Sequence, residues 1–264
     1  MDMQLPKGVY RVGAPRPVSA HTAFPFGLGR EGIHEVCEQA YGDRLAALGF
    51  IGAHLPRQDV PIIAITQNRF TRDQGGWHET GLGALFGQVA PILYVSVNKD
   101  KDALWAMEEA LTSGIPALVI AETEGPDFTA SRRLALASMR AGIPGILLLP
   151  YSTQGTTAAM ARWRVQSQPS ALNPHDVKAP GFARWRAVAE RVRPNPAQAG
   201  GVFNLEFDHE TLSLNLVPEL ASHKIAPRPI FPAERGRLGS GPYRPLQFPA
   251  RHRAQSGPKT LRAG

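Results

Sequence analysis

Residues 92–149 read ILYVSVNKDKDALWAMEEALTSGIPALVIAETEGPDFTASRRLALASMRAGIPGILLL, and three short apolar runs alternate there with two helical patterns. The runs lie at 92–95, 117–120 and 146–149. Each is apolar at every position, which is typical of strands buried on both faces of a parallel sheet. Residues 100–113 and 129–141 have apolar side chains at helical spacing, and a glycine follows each segment. This alternation predicts βαβ units and an α/β fold with a parallel sheet.

The pattern extends towards the N-terminus. Residues 33–36 alternate as in a short strand, residues 43–55 have helical spacing that ends before Pro56, and residues 61–65 form another apolar run. Residues 67–88 are rich in glycine and polar side chains, so we predict an irregular segment there.

The pattern changes after residue 150. Residues 162–165, 184–188 and 202–217 predict antiparallel strands joined by loops, the last of them as a hairpin. Trp163 and Trp185 are each flanked by arginines. Either the tryptophans pack in the core while the arginines face water, or the tryptophans stack on nucleobases.

The chain has 264 residues and a formal net charge of +7. This length is sufficient for one well-buried core, which we predict at residues 31–218. Residues 1–30 are predicted to be an N-terminal arm, and residues 219–264 a disordered tail rich in proline and arginine. Because no apolar run approaches a membrane span or a secretory signal, we expect a cytoplasmic protein that associates with the nucleoid when engaged. The single cysteine, Cys37, agrees with that compartment.

The excess positive charge is concentrated in the tail. After residue 220, nine lysines and arginines oppose a single acid, Glu234, so the preceding residues are close to neutral. Such a segment attracts polyanions, and we expect salt-sensitive DNA binding without base preference. A docking segment that folds on a protein partner and a solvated segment without a partner stay open as alternatives. The tail cations predicted to contact DNA are Arg235, Arg237, Arg244, Arg251, Arg253, Lys259 and Arg262.

The chain lacks the loop that phosphate-binding α/β proteins place after the first core strand. Residues 37–44 read CEQAYGDR, with no Gly-Lys-Ser/Thr and only one glycine to let the backbone approach phosphates. Arg44 is a candidate substitute cation. Glu122, after the apolar run at 117–120, is either a magnesium-associated acid or a structural glutamate. We therefore expect no ATP hydrolysis, no cofactor and no resident metal.

Three other patterns are less informative. The glycines at 27–32 spell G-x-G-x-x-G, but this motif precedes a predicted strand instead of following one. His34 begins H-E-x-x-E, which lacks the second histidine of the zinc-protease motif and lies in a predicted strand. The polar loop 151–157 follows the run at 146–149 and is either a binding loop or a flexible connection.

Several segments together resemble the ImuA family. They are GIHEV at 32–36, residues 99–149, RWRV at 162–165, RWR at 184–186, ER at 190–191 and LEFDHE at 205–210. The resemblance implies a RecA-like core, in which a degenerate P-loop domain with a parallel sheet is extended by C-terminal antiparallel strands. In RecA a catalytic glutamate follows the second core strand, whereas residues 66–68 of this chain are Thr-Gln-Asn.

For function, the resemblance implies a non-catalytic accessory role in the bacterial SOS mutagenesis cassette. The implied partner is an ImuB-type, inactive relative of Y-family polymerases and, through it, an error-prone C-family polymerase in translesion synthesis. Contacts with RecA are also implied. Weak contact with DNA is expected from the basic tail and not from the resemblance. Two alternatives stay open. One is a DNA-dependent ATPase with an unorthodox phosphate site at Arg44 and Glu122. The other is a regulator of RecA filaments or of cell division, since the division inhibitor SulA is a degenerate relative of the same fold.

Overall fold

The computed structural model describes residues 31–217 except 57, 58, 88, 174 and 177. The predicted arm at 1–30 and the predicted tail at 219–264, with its seven candidate DNA-binding cations, lie outside the described residues. The strands are β1 (Ile33–Glu38), β2 (Ile62–Gln67), β3 (Ile92–Val97), β4 (Leu118–Glu122), β5 (Gly145–Leu149), β6 (Ala161–Gln168), β7 (Ala183–Val192), β8 (Val202–Asp208) and β9 (Ser213–Leu216). The helices are α1 (Arg44–Gly52), α2 (Asn68–Gln74), α3 (Glu79–Phe86), α4 (Asp100–Thr112) and α5 (Phe128–Ala141). None of these helices is both long and apolar enough to cross a membrane.

The strands of the described residues form one nine-stranded sheet in the order β3-β2-β4-β5-β1-β6-β7-β8-β9. Neighbours from β3 to β6 are parallel. Neighbours from β6 to β9 are antiparallel. The predicted α/β, RecA-like fold class is confirmed, because a mostly parallel sheet is extended by C-terminal antiparallel strands.

A hydrophobic core lies on each face of the parallel part of the sheet. On one face, Phe50 of α1 packs in a cluster that includes Leu148 of β5. On the other face, Met107 of α4 and Leu134 of α5 pack in a cluster that includes Leu147. Because successive strand residues point to opposite faces, the neighbours Leu147 and Leu148 enter different cores. This explains why the central strands are apolar at every position.

The prediction of an irregular segment at 67–88 is wrong, because this segment contains α2 and α3. Helix α2 buries none of its side chains, and α3 contains Gly81 and Gly83. Neither sequence therefore shows an apolar stripe of helical period. Phe86, at the end of α3, packs against Phe207 with the ring centroids 5.0 Å apart. Tertiary packing stabilises a helix here that its own sequence does not signal.

Two strands differ from their predicted burial. Strand β3 pairs only with β2 among the described strands, so it forms one edge of the sheet, and Leu93 and Tyr94 are exposed. It is not buried on both faces as predicted. Strand β1 was expected to alternate, but all six of its residues are buried because it lies between β5 and β6.

The C-terminal strands confirm the packing interpretation of the tryptophans. Trp163 and Trp185 are buried in the core on the α1 side of the sheet. The alternative that they stack on nucleobases is wrong, since both rings are covered by protein. The predicted hairpin is formed by β8 and β9.

Candidate functional site

The position of a phosphate loop is occupied by a short turn between β1 and α1. The turn spans residues 39–43, and Gly42 adopts a φ of 98°, which favours glycine. The Asp43 carboxylate accepts hydrogen bonds from the backbone N–H of Ala40 at 3.1 Å and of Ser167 at 3.0 Å. The start of the helix therefore carries an acid that is bonded to the protein's own backbone, where a phosphate-binding loop would leave donors open.

Arg44, the first residue of α1, is buried between two glutamates. Its Nη2 atom lies 2.7 Å from Glu122 Oε1, and its Nη1 atom lies 3.4 Å from Glu38 Oε1. The side chains of Arg44, Glu122 and Glu38 are only 7%, 4% and 2% exposed. The structure thus brings the two predicted nucleotide-site residues, Arg44 and Glu122, together as an ion pair. We call Arg44, Glu38 and Glu122 the buried triad.

Two aromatic side chains cover the buried triad. Trp77 donates a hydrogen bond from Nε1 to Glu122 Oε1 at 2.7 Å. The guanidinium carbon of Arg44 lies 4.9 Å from the centroid of the Phe70 ring. Phe70 lies on α2 and Trp77 in the connection between α2 and α3, so the segment at 67–88 contributes directly to this site. The distance favours a cation–π contact that further holds the guanidinium in place.

The electrostatics of the buried triad oppose a polyphosphate. One guanidinium faces two carboxylates, so the cation is already neutralised by the protein. Burial raises the pKa of Glu38, and the adjacent Arg44 opposes that rise. A triphosphate in this position would meet Glu122 and Glu38 at short range in a poorly solvated environment, where like charges repel strongly.

The residue at the place of the RecA glutamate is also engaged internally. Gln67, the last residue of β2, donates from Nε2 to Asp100 Oδ1 at 2.7 Å and to the Glu122 carbonyl at 3.1 Å. Asp100 Oδ1 also accepts from the backbone N–H of Glu124 at 2.7 Å. A neutral amide cannot take a proton from an attacking water, so Gln67 serves to tie the ends of β2 and β4 together. Of the two interpretations of Glu122, these contacts favour the structural one.

A second polar cluster lies at the C-terminal ends of β1 and β5, beside the loop 151–157. Arg162 donates to Glu35 Oε2 at 2.7 Å and to the Gly155 carbonyl at 3.0 Å. Arg164 donates to the carbonyls of Tyr151 and Thr153 at 2.9 and 2.7 Å. These contacts hold the backbone of the loop at several points, which does not favour a merely flexible connection.

The same loop is held from β7 and from the residue that follows it. Arg191 donates to Thr157 Oγ1 at 2.6 Å and to Glu35 Oε2 at 3.4 Å, and Arg193 donates to the Thr157 carbonyl at 2.7 Å. Arg162, Arg164 and Arg191 line a cleft of about 600 Å³ together with residues of the loop. We call this feature the arginine cleft.

The arginine cleft was missed at the level of sequence, although one signal was present. Arg162 and Arg164 are two residues apart in a strand and therefore lie on the same face. The contribution of Arg191 depends on the antiparallel register, in which it pairs with Arg162 across β6 and β7. That register cannot be read from one strand alone.

The described residues contain no group of three or more histidine, cysteine, aspartate or glutamate side chains that could hold a metal ion. His34 and Cys37 are both buried within β1. Burial, with a smaller effect from His54, lowers the pKa of His34 to about 4. Burial raises the pKa of Cys37 to about 12 despite nearby arginines, so the thiol is not a nucleophile at neutral pH.

No family model matches the chain. The chain is 32% identical over 167 residues to "Protein ImuA" of Caulobacter vibrioides strain NA1000 / CB15N. The match covers 60% of this chain and 66%, or just under two thirds, of that protein. The "Protein ImuA" of Caulobacter vibrioides strain ATCC 19089 / CIP 103742 / CB 15 matches with the same identity and coverage. Among solved structures, SulA from Pseudomonas aeruginosa is similar with 16% identity and a TM-score of 0.32, over 45% of this chain and 97% of that chain.

Proposed function

We propose, from the similarity of this chain to the two ImuA proteins, that it is a member of the ImuA family and a non-catalytic accessory protein in damage-induced, error-prone translesion DNA synthesis. It acts by protein contacts with an ImuB-type, inactive relative of Y-family polymerases. Through that partner it serves an error-prone C-family polymerase. RecA and DNA are further partners in the proposal. In this role the RecA-like core is kept for its surfaces and not for nucleotide chemistry.

The observation that supports a non-catalytic role is the pairing of Arg44 with Glu122 at 2.7 Å. A nucleotide that used Arg44 would have to break this ion pair. It would also leave two buried carboxylates facing its phosphates, since Glu38 lies in the same cluster. Breaking a buried pair by removing one partner costs about 3–5 kcal/mol in proteins, and a ligand would have to supply a comparable amount before any net binding.

Titration calorimetry with ATP and Mg²⁺, followed by a hydrolysis assay with and without single-stranded DNA, tests the non-catalytic proposal. We expect no binding heat and no phosphate release. Hydrolysis that single-stranded DNA stimulates would contradict the proposal. ATP binding that the Arg44→Ala variant abolishes would assign the chain to the ATPase alternative with an unorthodox phosphate site.

A three-way affinity capture tests the partner proposal. The full chain is immobilised and offered, in separate experiments, an ImuB-type protein, RecA and a cell-division GTPase. We expect retention of the ImuB-type protein at moderate salt and no retention of the division protein. Retention of the division protein alone would overturn the proposed role, and retention of RecA alone would favour a regulator of RecA filaments.

A further inference from the structure

We propose that the arginine cleft binds the phosphodiester backbone of single-stranded nucleic acid, and that Tyr41 and Tyr151 beside it stack on the bases. This inference goes beyond the proposed function, in which DNA contact is expected only from the tail. It rests on five observations on the described residues: the size of the cleft, its charge, the excess of donors in its arginine cluster, the free backbone donors of its loop and the exposed aromatic pair.

The size and position of the cleft suit a chain-like anion. Its volume of about 600 Å³ is much larger than one phosphate group needs, and it is open to solvent along the loop 151–157. Gln39 and Gln154 line it beside the arginines and add neutral donors and acceptors. Such a lining is mostly polar, in contrast to the apolar lining that a small hydrophobic ligand requires.

The charge of the cleft favours an anion. Arg162, Arg164 and Arg191 line the cleft and are opposed by Glu190, which also lines it, and by the buried Glu35, so cations exceed acids by one. Glu190 lies 3.3 Å from the Nε atom of Arg164 and 3.9 Å from that of Arg162. Glu35 is fully buried under the arginines and cannot reach solvent. A ligand in the cleft therefore meets guanidinium groups and one partly exposed carboxylate.

The guanidinium donors are not fully used by the protein. Arg162 Nη2 and Arg191 Nε are buried and have no hydrogen-bond partner among the described residues. Glu35 Oε1 lies in the same cluster without a donor. A small rotation that paired this oxygen with one of the two N–H groups would still leave the other unsatisfied. The cluster thus has more donors than acceptors, so its positive charge is not fully compensated within the protein.

The loop adds backbone donors. Arginines bond the carbonyls of residues 151, 153, 155 and 157, which fixes this segment above the cleft. The amide N–H groups of Gln154 and Thr156, which lie between these positions, have no acceptor within the part of the chain that the structure describes. Backbone amides in a fixed loop are common phosphate ligands because they are already ordered before the anion arrives.

An exposed aromatic pair borders the cleft. Tyr151 lines it directly and is 47% exposed. Tyr41, in the turn before α1, is 81% exposed, and the two rings meet edge to face with centroids 6.3 Å apart. A positively charged groove beside exposed aromatic rings is the arrangement by which proteins bind single strands without base preference. Duplex DNA does not offer its bases for stacking, so the single strand is the favoured ligand.

The experiment must resolve the site, because the tail is expected to bind DNA as well. The full chain is irradiated with a short oligothymidylate that carries 5-bromodeoxyuridine, and cross-linked peptides are mapped by mass spectrometry. We expect cross-links in peptides that contain Tyr41 or Tyr151. Cross-links confined to residues 219–264 would overturn the proposal.

Affinity measurements on variants supply the second readout. Tyr41→Ala/Tyr151→Ala should weaken oligonucleotide binding about fivefold or more, whereas Tyr41→Phe/Tyr151→Phe should retain it because the ring is what stacks. Arg191→Gln should also weaken binding. The matched control is Arg132→Gln, which removes the same charge from an exposed position on α5.

Two outcomes would contradict the proposal. Equal losses in Arg191→Gln and Arg132→Gln, with no loss in the double tyrosine variant, would contradict the proposal. Inorganic phosphate that competes as well as the oligonucleotide would show a site for a free anion only and would also overturn it. If Arg191→Gln fails to fold, as circular dichroism would reveal, the tyrosine variants and the cross-link map still decide.

Discussion

Arg44 and Glu122 form an ion pair of 2.7 Å across the carboxyl ends of three adjacent strands. Arg44 follows β1, Glu122 ends β4, and β5 lies between those strands in the sheet. In an α/β sheet this edge is where ligands bind. Here the protein's own charged side chains, Arg44 and Glu122, occupy that position as a buried ion pair.

Arg44→Ala should lower the free energy of unfolding by about 3–5 kcal/mol, because it leaves Glu38 and Glu122 buried without a cation. Glu122→Gln should cost less, since the amide oxygen still accepts the hydrogen bond from Trp77. Denaturant titration measures both. The control is Arg133→Ala, which breaks an ion pair with Glu108 whose arginine is 60% exposed and should cost at most about 1 kcal/mol. Equal losses in Arg44→Ala and Arg133→Ala would show that the triad is not a stabilising element.

His34 should make the protein less stable in mild acid. Burial lowers its pKa to about 4, whereas the pKa of a histidine in the unfolded chain is about 6.5. Below pH 6.5 the histidine is protonated in the unfolded state but stays neutral in the folded state. The free energy of unfolding therefore falls as the pH falls from 6.5 towards 4. Between pH 7 and pH 5 the loss from His34 is about 2 kcal/mol.

Denaturant titrations at pH 7 and pH 5 measure this effect. His34→Gln should reduce the difference between the two pH values, whatever it costs at neutral pH. His175→Gln, at an exposed position, should leave the difference as it is in the parent chain. If the free energy of unfolding changes as much between pH 7 and pH 5 in His34→Gln as in the parent chain, His34 is not the cause of the change.

Trp163→Ala should destabilise the protein by about 3–5 kcal/mol. The ring is 1% exposed and packs against Phe50 and Phe203, with centroids 5.7 and 5.5 Å away. Trp105→Ala is the matched control, because that ring is 62% exposed on α4 and its loss leaves no cavity. Thermal unfolding of the two variants should differ by several degrees. A similar effect of both would contradict the assignment of Trp163 to the core.

Two glycine-to-alanine changes in helices should have opposite signs. At Gly49 of α1 an added Cβ would lie 2.4 Å from the Trp185 ring, so Gly49→Ala should destabilise by about 1–3 kcal/mol. At Gly83 of α3 an added Cβ meets nothing within 4 Å. Gly83→Ala should therefore stabilise by about 0.5–1 kcal/mol, because alanine favours a helix. Calorimetric melting of both variants checks the prediction, and a stabilising Gly49→Ala would show that α1 is not packed on β7 as described.

Most of the regular structure could be predicted from local patterns. The continuous apolar runs became central strands, and the segment at 129–141 became α5, with Asp127 accepting a hydrogen bond from the Ala130 amide as its N-cap. The failures share one cause. Helices α2 and α3 and the exposure of β3 depend on what lies beside them, and no window of sequence carries that information.

At the candidate site, the sequence indicates mainly which groups of a phosphate site are absent. The missing Gly-Lys-Ser/Thr after β1 and the missing acid at residues 66–68 are visible in the chain itself. The sequence singles out Arg44 and Glu122 as candidates for one phosphate site, but it does not predict that they form an ion pair or that Trp77 covers them. Their proximity depends on the order of the strands in the sheet, which brings together residues far apart in the chain.

The amino-acid sequence was therefore sufficient for the class of fold, the strands of the central sheet and the loss of the phosphate loop, because these follow from periodicity and residue type within short segments. Which charged side chains lie beside one another was decided by the tertiary structure. The sheet order places Arg44 against Glu122, and the β6–β7 register places Arg162 beside Arg191. Arginine therefore forms a buried ion pair at residue 44, whereas Arg162 and Arg191 line a cleft. The difference comes from burial and neighbouring charge, because the residue type is the same.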